Sequence, residues 1–370
     1  MRKLGWMALC VLFLTTLVSC TKQSGSAGDP RSAEDFAKRG NTRSEQGDLD
    51  GAVADFTKAI ELNPELAEAH TNRGAVLARK GDLDGAIADH TKAIELKPQM
   101  AGAYYNRSGA RVLRSERTGA TPDSIKQDLA GAIVDCTKAI ELDPKMAEAY
   151  RNRGAARDRQ GDQDGASADC TKAIELNPQF AEAYHNRGIC RDKKEDWDGA
   201  IADFTKTIEL NPQHAEAYDA RGVARCRKSD RDGAIADYTK AIELNPKFSR
   251  AYYNRGLEYS RKSDLDGAIA DYTKAIELNP RYADAYNNRA DCRSRKGDLD
   301  GAIGDCTKAI ELDPQFDTYG LRGVARLLQG MDSEAQKDFE KCLQLKPEFK
   351  PTLDKMISEA EAKVNRAKKP

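Results

Sequence analysis

A block of about 34 residues, reading AEAYxNRG…GDxDGAIADxTKAIELNP, recurs nine times between Ser32 and about Lys350. One such block has too little apolar surface to enclose a core of its own. Neighbouring blocks must therefore stack and bury a shared one, and the period settles the architecture before any single residue is weighed. Pro64, Pro98, Pro144, Pro178, Pro212, Pro246, Pro280, Pro314 and Pro347 keep the register. Only the gap from Pro98 to Pro144 is markedly longer, by about a dozen residues, which places an insertion near 117–128 in the third repeat.

Each block reads as two helices. Small and aromatic residues recur at helical spacing from Ala147 to about Gln160, and again from Asp164 to Leu176 with Asp164 available as an N-cap. A turn at GDQ separates them, and Pro178 forbids continuation. The expected core columns are Tyr104, Tyr150, Tyr184, Tyr218, Tyr252 and Tyr286 in first helices, and Phe56, Cys136, Cys170, Phe204, Tyr238, Tyr272, Cys306 and Phe339 in second helices. Leu353, Met356, Ile357 and Val364 share one helical face in the segment 351–370, which reads as a capping helix and tail.

The period, the small residues at Gly74 and Ala86, the aromatic columns and the terminating prolines resemble the tetratricopeptide repeat family over residues 32–350. The resemblance implies an all-α fold: a right-handed superhelical solenoid of about nine helix-turn-helix units plus a C-terminal capping helix. It also implies a concave groove, lined by first helices, that binds an extended peptide or a partner's helix.

The arginines depart from the family pattern. Where leucine is usual, every first helix has Arg39, Arg73, Arg107, Arg153, Arg187, Arg221, Arg255, Arg289 or Arg322, and every second helix carries an aspartate from Asp55 through Asp338. This matching predicts a repeated, partly buried ion pair that fixes helix register. A second column, Arg43, Arg111, Arg157, Arg191, Arg225, Arg293 and Arg326, replaces an apolar position and sets an expectation of loosened first-helix packing.

Before the repeats, Arg2 and Lys3 precede an apolar run from Leu4 to Val18 that ends in Leu17-Val18-Ser19-Cys20. A positive start followed by a short apolar stretch is the secretory pattern, too short for a membrane span. The four-residue ending resembles the lipobox of bacterial lipoproteins. It implies removal of residues 1–19, lipidation of Cys20 and, since Thr21 is not Asp, location at the outer membrane facing the periplasm. Residues 20–31 read as lipidated cysteine and flexible tether.

The 59 basic and 60 acidic residues nearly cancel, which argues against a nucleic-acid partner. Seven cysteines lie in the repeats without framework spacing and read as buried thiols, with Cys190, Cys226 and Cys292 the ones most open to reaction.

With Ala181 as position one, first-helix positions two, six, nine and thirteen share a face, which by family analogy lines the groove. Position six forms an asparagine column, Asn72, Asn106, Asn152, Asn186, Asn254 and Asn288, broken by Ala220. An amide can bond a peptide backbone whatever its side chains, and the column resembles the asparagine ladder of O-linked N-acetylglucosamine transferase. Position thirteen supplies Arg159, Lys193, Arg227, Arg261 and Arg295, which would favour acidic peptides if they face inward. Tyr105 and Tyr253 are candidate aromatic anchors at the groove edge.

The GDLDG turns place glycine too early for a calcium loop, and His70 with His90 make a poor zinc site. No catalytic motif, metal site or cofactor is expected. The reading is a non-enzymatic scaffold, anchored to the membrane by lipid, that binds a protein or peptide partner in the cell envelope. Its alternative is an assembly factor acting through self-association or the solenoid ends in a secretion, pilus or outer-membrane complex.

Overall fold

The computed structural model describes residues 31–117 and 119–367; the leader, Cys20 and the tether up to Pro30 lie outside them. Among the described residues there is no strand, and the helices fall into two compact bodies divided between Leu210 and Asn211.

The first body holds five helix hairpins: α1 (Ala33–Glu45) with α2 (Leu49–Leu62), α3 (Ala67–Arg79) with α4 (Leu83–Leu96), α5 (Ala101–Ser115) with α6 (Pro122–Leu142), α7 (Ala147–Gln160) with α8 (Gln163–Leu176), and α9 (Ala181–Lys193) with α10 (Trp197–Leu210). The second body holds four: α11 (Ala215–Arg227) with α12 (Arg231–Leu244), α13 (Ser249–Arg261) with α14 (Leu265–Leu278), α15 (Ala283–Lys296) with α16 (Leu299–Leu312), and α17 (Phe316–Leu328) with α18 (Asp332–Leu345). A 3-10 turn, Pro347–Phe349, leads into α19 (Lys350–Ala367), which packs on α17. Within the first body consecutive first helices approach one another, while α2, α4, α6 and α8 each pack on the first helices before and after them.

The GDxDG turns show why the chain folds this way locally. In α8 the cap is Asp162 and not the Asp164 expected from the sequence; its side chain accepts from the Gly165 N–H at 2.9 Å. The glycine is required because a Cβ there would lie 2.2 Å from the cap's Oδ2. Asp164 instead sits in the first turn and pairs with Lys194 of the next repeat at 2.5 Å. At the preceding turn position, Gly47, Gly81, Gly161, Gly297 and Gly330 adopt positive φ, and Glu195, Ser229 and Ser263 take the same left-handed conformation at φ 62–66°.

The second-helix column forms the core as expected: Phe56, Cys136, Cys170, Phe204, Tyr238, Tyr272, Cys306 and Phe339 are all buried, with His90 in the same column. Each side chain meets the small residue of the NRG motif. A Cβ on Gly188 would come within 2.7 Å of the Phe204 ring, so glycine there is what lets the paired helices close. The first-helix tyrosines differ from expectation. Tyr104, Tyr150, Tyr184, Tyr218, Tyr252 and Tyr286 are only half-buried, and the guanidinium three residues on lies over each ring, 5.5–5.8 Å from its centroid.

The insertion is absorbed as helix. α6 runs for 21 residues where the other second helices have 14, and Thr121 caps its new start ahead of Pro122. The old cap position, Asp128, now lies inside the helix, buried, where its carboxylate takes both Nε and Nη2 of Arg114.

Candidate functional site

The first-helix face is built on an ionic ladder. All nine arginines of the NRG motif donate Nε and Nη2 to the aspartate 16 residues on, or 28 in the repeat with the insertion. Within each body the Nη1 of Arg73, Arg107, Arg153, Arg187, Arg255, Arg289 and Arg322 also reaches a threonine on the preceding second helix, such as Thr137 from Arg153 at 3.2 Å. Each of these guanidinium groups thus joins three helices with its planar fork. The second arginine column, expected to loosen packing, does the opposite. Arg43, Arg111, Arg157, Arg191, Arg225, Arg293 and Arg326 approach the same carboxylates at 2.7–3.1 Å. Two repeats lack this arginine. In the second, Leu77 stands there and His70 Nδ1 lies 3.4 Å from Asp89; in the seventh, Tyr259 stands there and stacks on Arg255.

Above this ladder two concavities open, one in each body. The first, of about 440 Å³, is lined by Gly154, Ala155, Asp158 and Arg159 of α7, Asn186, Ile189, Cys190 and Lys193 of α9, and Ser115, Glu116, Ile125 and Leu129 around the insertion. The second, of about 380 Å³, is lined by Val223, Cys226 and Arg227 of α11, Asn254, Leu257, Glu258 and Arg261 of α13, and Ser229, Arg231 and Tyr238. Positions six, nine and thirteen of the first helix line these concavities, while position two, expected on the same face, lines neither. Positions ten and twelve join them: Cys190 Sγ lies 3.7 Å from Asp158, and Cys292 Sγ lies 3.4 Å from Ser260 Oγ. The signal that would have found them is divergence between near-identical repeats. Position twelve holds Ala78, Val112, Asp158, Cys226 and Ser260, while position seven is always arginine.

The structure separates the asparagine column into two groups. Asn72 donates to Asn41 at 2.9 Å, Asn254 to Asp219 at 3.0 Å and Asn288 to the Tyr253 hydroxyl at 3.0 Å, and Asn152 bonds the Tyr105 hydroxyl. These four tie each first helix to the one before it. The Oδ1 of Asn106 and the Nδ2 of Asn186 are buried with no hydrogen-bond partner. Asn186 lies with Arg159 and Lys193 in the first concavity, and Asn254 with Arg227 and Arg261 in the second. Tyr105 is buried at 5 % exposure, and Tyr253 packs against Tyr272 and Tyr282, so neither stands as a free aromatic anchor.

The position-thirteen cations engage neighbouring repeats. Lys193 contacts both oxygens of Asp158 at 2.6 and 2.8 Å, Arg159 pairs with Glu116, and Arg295 reaches Ser260 and Asp291. Arg261 pairs with Glu258, whose carboxylate is buried and also lies 3.6 Å from Arg231. Charge on this face is striped and largely cancelled within the protein.

Among the described residues no group of three or more His, Cys, Asp or Glu is gathered as a metal site requires, and no helix is long and apolar enough to cross a membrane. His70 contacts Asp89 and the Pro64 carbonyl, and His90 is enclosed in the core with neither ring nitrogen bonded. Cys190 and Cys292, expected to be reactive, are buried; Cys226 alone of the repeat thiols is half-buried.

Comparison with known proteins bears on the whole arrangement. A tetratricopeptide repeat model matches residues 67–100, 181–214, 249–282 and 283–316, a second one matches 147–180 and 316–349, and a TPR repeat model matches 40–81 and 224–263. None of the curated proteins matches the chain. Among solved structures it is similar to the Cut9–Hcn1 hetero-tetramer of APC/C, at 14 % identity and TM-score 0.54 over 89 % of this chain and 76 % of that one. It is also similar to YrrB, a TPR protein with an unusual peptide-binding site, at 28 % identity and TM-score 0.41 over 53 % of this chain and 95 % of that one. A tetratricopeptide repeat protein from Parabacteroides merdae aligns at 23 % identity and TM-score 0.46 over 69 % and 98 %. With repeat models across most of its length and helix hairpins at the matching period, the protein belongs to the tetratricopeptide repeat family, whose fold is generally a non-enzymatic protein-interaction scaffold.

Proposed function

We propose that the protein is a lipid-anchored scaffold of the bacterial cell envelope whose first-helix face grips an extended segment of a protein partner. The observation that carries this reading is where the repeats differ. The ladder arginines and aspartates, the caps and the second-helix runs are copied from repeat to repeat, as uniform packing requires. Variation is concentrated at positions five, nine, ten and twelve of the first helix, and the last three of these line the concavities. Residues spent on packing repeat; residues that vary on an inward face are those able to distinguish one ligand from another.

Within this reading Asn186, Arg159 and Lys193 in the first concavity, and Asn254, Arg227 and Arg261 in the second, form two peptide subsites. Asn72, Asn152, Asn288 and Arg295 set the helices that frame them, and Asn106 stands on the same face with its Oδ1 unpartnered. Cys20 carries the lipid, and the polar segment up to Arg31 holds the repeats away from the bilayer, at the outer membrane on its periplasmic side.

Selection of binders to the full chain from a random peptide display library tests the groove. Selected peptides lose binding to Ile189→Lys and Leu257→Lys variants of unchanged helicity; equal binding to wild type and both variants overturns the assignment to this face. Metabolic labelling with palmitate tests the anchor. Label that persists in Cys20→Ser removes it.

A further inference from the structure

The concavity of the first body has a composition that the repeat plan does not produce. Part of its lining comes from the insertion: Ile125 lies on the added turns of α6, one turn before Leu129, where the other second helices begin, and both line the opening with Ala155 and Ile189. This part of the lining is thus aliphatic. At the rim the charges cancel in pairs, Glu116 with Arg159 and Asp158 with Lys193. A charged guest would have to break one of these pairs and leave a partner uncompensated. One polar group is unspent: Asn186, 8 % exposed, lines the concavity with an Nδ2 that has no acceptor. A buried donor left without an acceptor carries the full penalty of its lost hydration, so a guest that supplies an acceptor recovers it on binding.

We infer that this concavity takes one uncharged aliphatic side chain of an extended partner segment, with Asn186 Nδ2 donating to a main-chain carbonyl beside it. The inference rests on the peptide-scaffold reading and sharpens it, because it names the subsite and what it accepts. The volume of about 440 Å³ lies within the range of small-molecule and side-chain pockets and exceeds one leucine side chain, leaving room for its flanking carbonyl. The second body's concavity makes the contrast. It has no inserted wall, and although Leu257 stands where the first has Ile189, Glu258 with Arg231 and Arg261 puts an ionic cluster into its lining.

The probe is N-acetyl-leucine methylamide, titrated into methyl- and amide-labelled full-length protein and followed by NMR, with N-acetyl-aspartate methylamide as the charged comparator. The leucine probe shifts the methyl resonances of Ile125 and Ile189 saturably and moves the Asn186 side-chain amide, and the aspartate probe leaves them unmoved. In Asn186→Ala the Ile189 shift saturates at about fivefold higher probe. Ile125→Ala, on a half-buried residue outside the repeat plan, weakens it similarly while the fold is kept, which guards against Asn186→Ala failing to fold. Absence of a saturable shift at Ile125 and Ile189, equal response to the aspartate probe, or unchanged saturation in both variants overturns the assignment. Library-selected peptides separate the two readings. Peptides that need Leu257 and leave the Ile125 and Ile189 methyls unshifted sink this subsite and keep the scaffold; a leucine-probe response with no peptide binding at all sinks the scaffold and keeps the subsite.

Discussion

Asp203 holds Arg187 by two parallel hydrogen bonds, Nε to Oδ2 at 2.9 Å and Nη2 to Oδ1 at 2.7 Å, while Arg191 Nη1 contacts the same Oδ2 at 2.8 Å. One buried carboxylate therefore serves two guanidinium groups, 14 % and 31 % exposed. Asp203→Asn keeps the shape and deletes the charge, leaving Arg187 without a counter-ion and Arg191 with only Asp196, 3.7 Å away. The expected cost is about 2–3 kcal/mol, at or below the low end for breaking a buried pair because the arginines retain some solvent. Arg191→Leu removes the surplus cation and costs less than about 1 kcal/mol. Urea denaturation with residue-resolved hydrogen exchange checks both; equal losses would show that Asp203 is not the hub.

His90 stands where other repeats have Phe, Tyr or Cys, enclosed against Gly74, whose Cβ position lies 2.8 Å from its ring. Burial lowers its pKa to about 4; neighbouring Asp89 pulls it up and Arg107 pushes it down. The folded value lies below the unfolded one of 6.5, so the unfolded chain binds more protons between the two. This site's contribution is intact above about pH 6.5 and is lost as pH falls toward 4, by roughly 3 kcal/mol. His90→Phe therefore flattens the stability profile between pH 6.5 and 4, and thermal melts across that window show whether the acid-labile step disappears.

Much of the fold is legible in the sequence because a period with proline stops and NRG glycines leaves few ways to pack. Ala147 to Gln160 is helical as the spacing implied, and Phe204 and Gly188 meet because a side chain and a gap recur in phase. The candidate site is less legible, for physical reasons. Asn152 and Asn288 share a motif with Asn186, yet the first two spend their amides on Tyr105 and Tyr253 and the third does not. What differs is the preceding repeat's residue at position five, which spacing within one helix does not report. The insertion is legible in position and not in form: it becomes helix because Thr121 and Pro122 supply a cap and a first turn.

Three hairpin turns place a side chain where others place glycine. Glu195, Ser229 and Ser263 hold φ of 64°, 66° and 62°, a conformation that costs an L-residue about 1 kcal/mol. Glu195→Gly, Ser229→Gly and Ser263→Gly relieve it but gain backbone entropy in the unfolded chain, so the expected net gain is a few tenths of a kcal/mol each. Ser229→Ala keeps the strain and gains nothing. Chemical denaturation of the triple glycine variant is the check, and a lower midpoint than wild type contradicts strain at these turns.

The seven repeat cysteines are all free, and six of them are buried. Burial pushes the thiols of Cys136, Cys190 and Cys306 up to about 12 and raises Cys170 as well, so at neutral pH they carry almost no thiolate, the form that reacts. Cys226 is half-buried with Sγ 3.4 Å from the Tyr238 hydroxyl; burial raises its thiol too, to about 11, yet it is the one a reagent can reach. Native protein at pH 8 should therefore label slowly at Cys226 and not at the other six, whereas denatured protein labels at all seven. Peptide mapping after brief alkylation separates the sites. Fast modification of Cys136 or Cys170 in the native state would mean that their repeats open on the timescale of labelling, and the ladder of Arg153 and Asp169 beside them would not be the rigid element its geometry implies.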